Sequence, residues 1–269
     1  MKLSVLVSAI ALSALSPLAS AAIVASDDFN YVAGGLNAQS GGLGWAGAWS
    51  ANTQAQVVDP VVDLGGANAL RITGNATTVA ERTLSSAFSG NELFVSFLFQ
   101  LDTGVLTNND FLALWFNSST GPNIGIKADQ GTPTGTNDVF VRTNCTAGSY
   151  APGSDIGSTI DVTYQIVGRL SRSGSVNYNN FDLWLNPISA DLGAPDASFS
   201  GSAGISTITK VGFRTANLAA GDTLLIDNLI LATNWNDVVA APNAVPEPGS
   251  LALAGLALLG LGLVRRRRS

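Results

Sequence analysis

The sequence predicts an all-β protein whose body is a two-sheet antiparallel jelly-roll sandwich. Three observations support this fold class. Short runs of alternating apolar and polar residues fill the central part of the 269-residue chain, clusters of Gly, Ser, Thr and Asn separate these runs, and no apolar pattern of helical period extends far. Residues 22–240 hold at least ten such runs, enough for two packed sheets with a core that needs no disulfide.

The first 21 residues are predicted to be a secretory signal peptide, outside the fold. Lys2 supplies the positive start, and the apolar run Leu3–Leu15 follows it. Ala19–Ala21 provides the small residues that a signal peptidase accepts. The apolar run is too short for a membrane span, so we expect signal peptidase to remove the segment from an exported protein.

Two segments show the strand pattern most clearly. Glu92–Leu101 places five apolar side chains on one face: Leu93, Val95, Phe97, Phe99 and Leu101. Asp110–Asn117 alternates in the same way, with Phe111, Ala113 and Trp115 on one face. Both segments are largely apolar on both faces, so we expect them inside the sandwich. Further strands are predicted at 56–64, 69–73, 123–128, 139–142, 163–170, 180–186, 207–214 and 223–231.

The composition argues against several classes of function. Residues 22–244 contain eight basic and eighteen acidic residues, a net charge of −10, which argues against nucleic acid and anionic membrane surfaces as partners. The chain has no histidine, which excludes Ser-His-Asp and Cys-His nucleophile systems and histidine-ligated metal sites. Cys145 is the single cysteine, so no intramolecular disulfide forms, and we interpret it as an ordinary strand or loop residue.

The C-terminal segment 241–269 combines a proline-rich linker, an apolar run and a basic end. Leu251–Val264 would form a helix about 21 Å long, short of the ~30 Å hydrocarbon core of a membrane. Such a helix inserts but anchors weakly. The arginines that follow it are expected to stay in the cytoplasm, which leaves the body outside. They are Arg265, Arg266, Arg267 and Arg268.

This tail resembles the PEP-CTERM sorting signal of Gram-negative bacteria. The motif residues are Val245, Pro246, Glu247 and Pro248, and the short apolar helix and the arginine run follow in the same order. The resemblance implies an exosortase, a membrane cysteine transpeptidase that would cut near the motif after transient insertion in the inner membrane. It implies a final location at the cell surface or in the extracellular matrix, and a link to exopolysaccharide and biofilm. A plain C-terminal anchor is the alternative, but it leaves Pro-Glu-Pro unexplained.

The body resembles the concanavalin A-like, laminin G-like jelly rolls found among PEP-CTERM proteins. The segments that carry this resemblance are Asp27–Tyr31, Gly42–Trp45, Phe94–Phe99, Gly212–Thr215 and Asp227–Leu229. That superfamily includes lectins, adhesion modules, glucanases and lyases, so the fold alone does not choose among them.

A catalytic role finds little support in the residues, and we expect no enzyme. A retaining glycosidase needs two carboxylates about 5 Å apart. The Glu-x-Asp-x-x-Glu pattern of laminarinase-type enzymes is missing, and the body holds only Glu81 and Glu92 as glutamates. A lyase that uses tyrosine and arginine is an alternative, with four candidate residues: Tyr164, Tyr178, Arg169 and Arg172.

A non-catalytic carbohydrate-binding or structural component is the function we expect from the tail and the composition. Sugar binding would use aromatic platforms, for which the candidates are Trp45, Trp49, Tyr178 and Trp184. Trp115 is a weaker candidate because both faces of its strand are predicted to be buried. The alternatives are a polysaccharide-active hydrolase or lyase of the same fold and a purely structural matrix protein without a ligand.

Calcium is the cofactor that the acidic side chains would suit, because it prefers oxygen ligands and needs no histidine. The candidate ligands are Asp27, Asp28, Asp222 and Asp227. First and last strands are often neighbours in this fold, which would bring Asp27 or Asp28 close to Asp227. Each of these acidic clusters alone is more often a turn or cap, where the side chain accepts hydrogen bonds from nearby amides.

Overall fold

The computed structural model describes residues 23–62, 64–107, 109–130, 137–156 and 159–239, and this part of the chain is an all-β sandwich. The signal peptide and the sorting tail lie outside the described residues. In chain order the described strands are β1 (Ile23–Asp27), β2 (Gly34–Gly35), β3 (Ser50–Ala51), β4 (Ala55–Val58), β5 (Ala69–Thr73), β6 (Ala76–Phe88), β7 (Glu92–Thr103), β8 (Phe111–Phe116), β9 (Asn123–Gln130), β10 (Asn137–Arg142), β11 (Gly148–Tyr150), β12 (Tyr164–Ser171), β13 (Asn180–Leu185), β14 (Ala197–Ser200), β15 (Ile208–Ala216) and β16 (Thr223–Ala232). A 3₁₀ helix, Ser189–Gly193, and a short helix α1, Trp235–Val239, complete the described elements.

The strands form two antiparallel sheets with jelly-roll crossovers. One sheet has nine strands in the order β14-β13-β12-β7-β16-β5-β4-β2, with β1 also paired to β16. The other has seven strands in the order β11-β10-β9-β8-β15-β6-β3. The predicted fold class is therefore confirmed, and so is the expectation that the first and last strands are neighbours, since Asp27 lies opposite Leu229.

The core lies between the two sheets and follows the period-2 alternation of the strands. In β7 the predicted face, Leu93, Val95, Phe97, Phe99 and Leu101, points into this core. In β8 the inward residues are Leu112, Leu114 and Phe116. The opposite residues of β7 and β8 point to the outer faces of the sandwich, which differ in what covers them.

The outer face of the nine-stranded sheet is covered. Trp235 and Val238 of α1 pack there against Phe94 and Trp184. A second apolar cluster on the same sheet joins Leu64 from the β4–β5 connection to Leu98.

Strand β6 and helix α1 were not predicted, and the predicted strand 56–64 is wrong beyond Val58. The apolar alternation of β6 is interrupted, because one of its inward residues is the charged Arg82, which is 3 % exposed. Helix α1 has only five residues, fewer than two turns, so it shows no helical period.

Candidate functional site

The outer face of the seven-stranded sheet forms a groove, and no helix within the described residues packs on it. A cross-strand row runs over this face, because Arg214 pairs with Ala113, Ala113 with Gly125, Gly125 with Phe140, and Phe140 with Tyr150. Small residues therefore occupy the middle strands of this row. A cationic side chain stands on one side and two aromatic side chains stand on the other.

Aromatic rings form the floor of the groove. Phe111 stacks on Phe140 with ring centroids 5.4 Å apart, and Phe140 lies 6.0 Å from Tyr150. Phe111 and Phe140 are buried although they lie outside the main core, while Tyr150 is half-buried. The two phenylalanines are covered by basic side chains rather than by another element of the fold.

Two guanidinium groups converge on this floor. Arg142 Cζ lies 4.5 Å from the Phe140 centroid and 5.8 Å from that of Phe111. Arg214 Cζ lies 5.4 Å from the same Phe111 ring, although the two arginines belong to strands three positions apart in the sheet. The guanidinium groups of both arginines therefore lie against the rings, in cation–π contacts.

The electrostatics of the groove are dominated by cations. Burial and the Arg142 charge lower the pKa of Lys127, whose strand position is opposite Phe111. Arg214 Nε is buried and makes no hydrogen bond within the described residues. At the other end of the face, Lys210 Nζ pairs with a Glu81 carboxylate oxygen at 2.9 Å.

Two adjoining depressions define where a ligand would sit. The first has a volume of about 180 Å³ and is lined by residues that include Phe111, Lys127, Arg142 and Cys145. The second, of about 390 Å³, lies beside Arg214 toward β6. Both depressions are open and shallow, a shape that suits an extended polymer better than a small molecule held in a closed cavity.

Trp115 extends the groove floor toward β15 and β6. Its ring lies directly over Gly212, where a Cβ atom would come 2.2 Å from Trp115 Cζ2. Lys210 Nζ lies 5.7 Å from the centre of the ring. Trp115 Nε1 is buried and donates no hydrogen bond within the described residues.

The predicted aromatic platforms lie elsewhere, and most of them are core residues. Trp49, Tyr178 and Trp184 are at most 2 % exposed, so none presents a ring face to a sugar in this structure. Their polar atoms donate to Asp27, to the Gly90 carbonyl and to the Asp191 carbonyl, respectively. Trp45 is half-buried and packs on Trp49. Sequence reasoning missed the groove because its members lie on five separate strands.

The residues named for a lyase are not brought together as a site. Arg169 pairs with Asp182 at 2.7 Å on the nine-stranded sheet. Arg172 lies over the Tyr178 ring and donates to backbone carbonyls. Tyr164 lies on β12, at the end of that strand far from Arg172.

The four predicted calcium ligands do not form one site. Asp27 is a structural residue, because a single carboxylate oxygen accepts hydrogen bonds from Tyr31 Oη at 2.6 Å, Trp49 Nε1 at 2.8 Å and Arg82 Nη1 at 2.5 Å. Asp222 caps a turn by accepting from the Ala219 amide at 2.9 Å. It lies five residues before Asp227, about 16 Å along an extended strand. Within the described residues, no three acidic or thiol side chains converge on a metal position.

Asp227 and Asp28 are the pair that the structure does bring near each other. Burial raises the pKa of the Asp227 carboxyl to about 7, and the Asp28 charge adds to the shift. Asp227 Oδ1 accepts from the Asn228 amide at 2.7 Å, while Oδ2 is buried without a hydrogen bond of good geometry. That these two residues bind calcium stays a prediction.

The chain leaves the described body through α1. The ring centroids of Trp235 and Trp184 lie 4.7 Å apart, and the Val238 carbonyl accepts a hydrogen bond from Gln165 Nε2 at 2.7 Å. The segment that follows matches a family model, the PEP-CTERM protein-sorting motif, at residues 244–268. The chain carries a PEP-CTERM sorting motif. It is therefore an exported, membrane-transiting protein of Gram-negative type that an exosortase processes.

The predicted apolar helix of the motif lies outside the described residues, and α1, within them, lacks the length to cross a membrane. No curated protein matches the chain. Similar solved structures include an endo-β-1,4-glucuronan lyase from the fungus Trichoderma reesei, with 16 % identity and a TM-score of 0.48 over 82 % of this chain and 99 % of that chain. Domain 4 of an extracellular arabinanase from Geobacillus stearothermophilus, in complex with arabinotriose, has 14 % identity and a TM-score of 0.48 over 83 % of this chain and 99 % of that chain. At these values the likeness carries nothing about activity or ligand.

Proposed function

We propose that this PEP-CTERM protein is a component of the cell surface or extracellular matrix that binds polysaccharide in the groove without cleaving it. One observation supports the site: no helix or connection within the described residues packs on the outer face of the seven-stranded sheet, whereas α1 and the β4–β5 connection cover the other outer face. The half-buried ring of Tyr150 and the partly exposed side chains of Arg142 and Lys127 would suit the apolar face and the hydroxyl groups of a sugar chain.

A polysaccharide lyase is the second candidate, and one contact favours it. Arg142 Nη2 donates to Tyr150 Oη at 3.1 Å, so a phenol and a guanidinium stand side by side at the groove. A tyrosine can serve as general acid or base, and an adjacent cation would stabilise the negative charge that develops on the substrate. The hydrolase alternative has less support, because Glu81 on this face is already paired with Lys210.

The test measures binding and cleavage in the same samples. The exported chain, purified in mild detergent, is titrated with a panel of neutral and charged polysaccharides, including the exopolysaccharide of the organism that produces it. Saturable binding without new chain ends supports the non-catalytic binding role. Release of oligosaccharides with an unsaturated end would show that the protein is a lyase. Absence of saturable binding to every polymer would leave a purely structural component.

A groove-filling substitution locates the site. Ala216 lines both depressions, so Ala216→Trp is expected to weaken polysaccharide binding at least ~tenfold by occupying the space of a sugar ring. Thr73→Trp is the matched control, because Thr73 lies on β5 of the other sheet. Equal binding by both variants would place the ligand elsewhere.

A further inference from the structure

The basic side chains of this acidic body are concentrated on one face. Residues 22–244 carry a net charge of −10 and contain only eight basic residues. Four of these eight belong to the outer face of the seven-stranded sheet: Lys127, Arg142, Lys210 and Arg214. The groove is therefore a cationic strip on a negatively charged molecule. The net charge does not show this strip, because it is a sum over all faces.

Within the described residues, one of the four cations on this face is ion-paired, against two of the other four. Arg82 is neutralised by Asp27, and Arg169 is neutralised by Asp182. In the groove Lys210 has Glu81, but Lys127, Arg142 and Arg214 make no ion pair within the described residues. Asp138, the acid on β10, accepts hydrogen bonds from the backbone amides of Asp129 and Ile156.

These three cations are also held close to one another. Arg142 and Arg214 approach the same Phe111 ring, and Lys127 pairs with Phe111 across the strands. Bringing like charges together at a half-buried face is unfavourable unless an anion compensates them.

We infer that the groove selects anionic polysaccharides, chiefly polyuronates, over neutral ones, an inference that rests on the proposed polysaccharide-binding function. The planar guanidinium fork matches the two oxygens of a carboxylate, and Arg142 and Arg214 present two such forks along one groove. The half-buried ring of Tyr150 lies at one side of the strip, where it would contact the apolar face of a sugar. A polymer that repeats carboxylates along its length meets several of these cations at once.

The experiment compares charged and neutral forms of the same polymers. Binding of the exported chain is measured by calorimetry to polygalacturonate, polyglucuronate and alginate, each beside its carboxyl-reduced form, with a sulfated galactan, neutral glucans and double-stranded DNA as further arms. At least one polyuronate is expected to bind saturably, to lose at least ~tenfold in affinity on carboxyl reduction, and to weaken as salt increases. Binding of the sulfated galactan as well would extend the inference from carboxylates to anionic sugars in general.

Charge-removing variants assign the effect to the groove. Arg142→Gln and Arg214→Gln are each expected to weaken polyuronate binding about tenfold, the loss of one charge-assisted contact. Arg71→Gln removes the same charge from β5 of the nine-stranded sheet and is the matched control, expected to bind like the original chain. Thermal unfolding of each variant separates lost contacts from lost folding.

Each unfavourable outcome has a distinct meaning. Equal affinity for polyuronates and their reduced forms, or binding of neutral glucans alone, overturns the charge selectivity and leaves the polysaccharide-binding function. Equal losses in Arg71→Gln and the groove variants would show a diffuse charge effect and remove the groove as the site. DNA binding as tight as polyuronate binding would overturn sugar recognition, and no binding to any polymer would overturn both proposals.

Discussion

Asp27 joins the two sheets through a single carboxylate group. It lies at the end of β1, in the nine-stranded sheet, and its ion-pair partner Arg82 lies on β6 of the other sheet. Both side chains are at most 2 % exposed. Arg82 Nε also donates to the Gly47 carbonyl at 2.8 Å, and its guanidinium lies over the rings of Trp45 and Trp49. The N-terminal segment is therefore fixed to the sandwich by a charged group and not by apolar packing alone.

Asp27→Ala is expected to lower the free energy of unfolding by about 3–5 kcal/mol, because it leaves the Arg82 charge buried without a counter-charge. Urea denaturation measures the loss. Asp28→Ala, at the exposed neighbouring position, is the control and should change stability by less than ~0.5 kcal/mol. A loss below ~1 kcal/mol for Asp27→Ala would show that the ion pair does not stabilise the joint between the sheets.

Asp227 is expected to make stability depend on pH. Burial raises its pKa from the ordinary 3.8 to about 7 in the folded protein, so the folded state holds the proton more tightly than the unfolded state. The stabilisation from the protonated form is complete below pH ~4 and is lost as the pH rises through ~7, by up to about 4 kcal/mol. Asp227→Asn removes this contribution, so its stability should fall less than that of the original chain over this pH range.

Unfolding curves recorded at several pH values with a chelator present give the difference between the two proteins. Parallel pH profiles would contradict the buried protonated carboxyl. Adding calcium then tests the remaining metal prediction: a rise in melting temperature that Asp227→Asn lacks would support calcium at Asp28 and Asp227.

Helix α1 closes one outer face of the sandwich. Trp235 is 6 % exposed, packs on Phe94 and Trp184, and donates through Nε1 to the Ser189 carbonyl at 3.0 Å. Trp235→Ala should therefore cost about 3–5 kcal/mol of stability. Asn236→Ala, at an exposed position of the same helix, is the control. If both variants unfold at the same urea concentration, α1 does not contribute to the fold.

The strands that the sequence predicted are those in which apolar alternation is strong. Strand β7 has apolar side chains on both faces, and the five residues that were predicted to share one face all point into the core. Strand β6 escaped because burial of Arg82 depends on Asp27, a partner 55 residues away. Local patterns record which side chains leave water, but they do not record which distant charge allows a charged side chain to be buried.

The candidate site was hidden for a related reason. Tryptophans were predicted to bind sugars, but Trp49 and Trp184 are buried and contribute to the stability of the fold. The groove is assembled from β8, β9, β10, β11 and β15, and its composition emerges only when the strand order is known. The negative net charge pointed away from anionic partners because it averages over faces that differ in sign.

At the scale of the whole molecule, the groove and helix α1, where the described chain ends, lie on opposite faces of the sandwich. Helix α1 packs on the outer face of the nine-stranded sheet, and the matched motif begins five residues after Val239. A chain held through its tail would therefore present the groove away from the point of attachment. We expect a chain immobilised through its C-terminus to bind polysaccharide as tightly as the free chain does, as surface plasmon resonance and calorimetry can compare.

Cys145 allows the groove to be blocked chemically, because this one cysteine of the chain is exposed and lines the groove. Coupling a bulky maleimide, such as a polyethylene glycol derivative, to its thiol should block access to Arg142 and lower polysaccharide affinity at least ~tenfold. Cys145→Ser treated with the same reagent is the control and should bind like the untreated chain. Mass spectrometry confirms complete coupling before binding is measured. If the fully coupled chain binds as well as the unmodified one, the polysaccharide binds to a surface other than the groove.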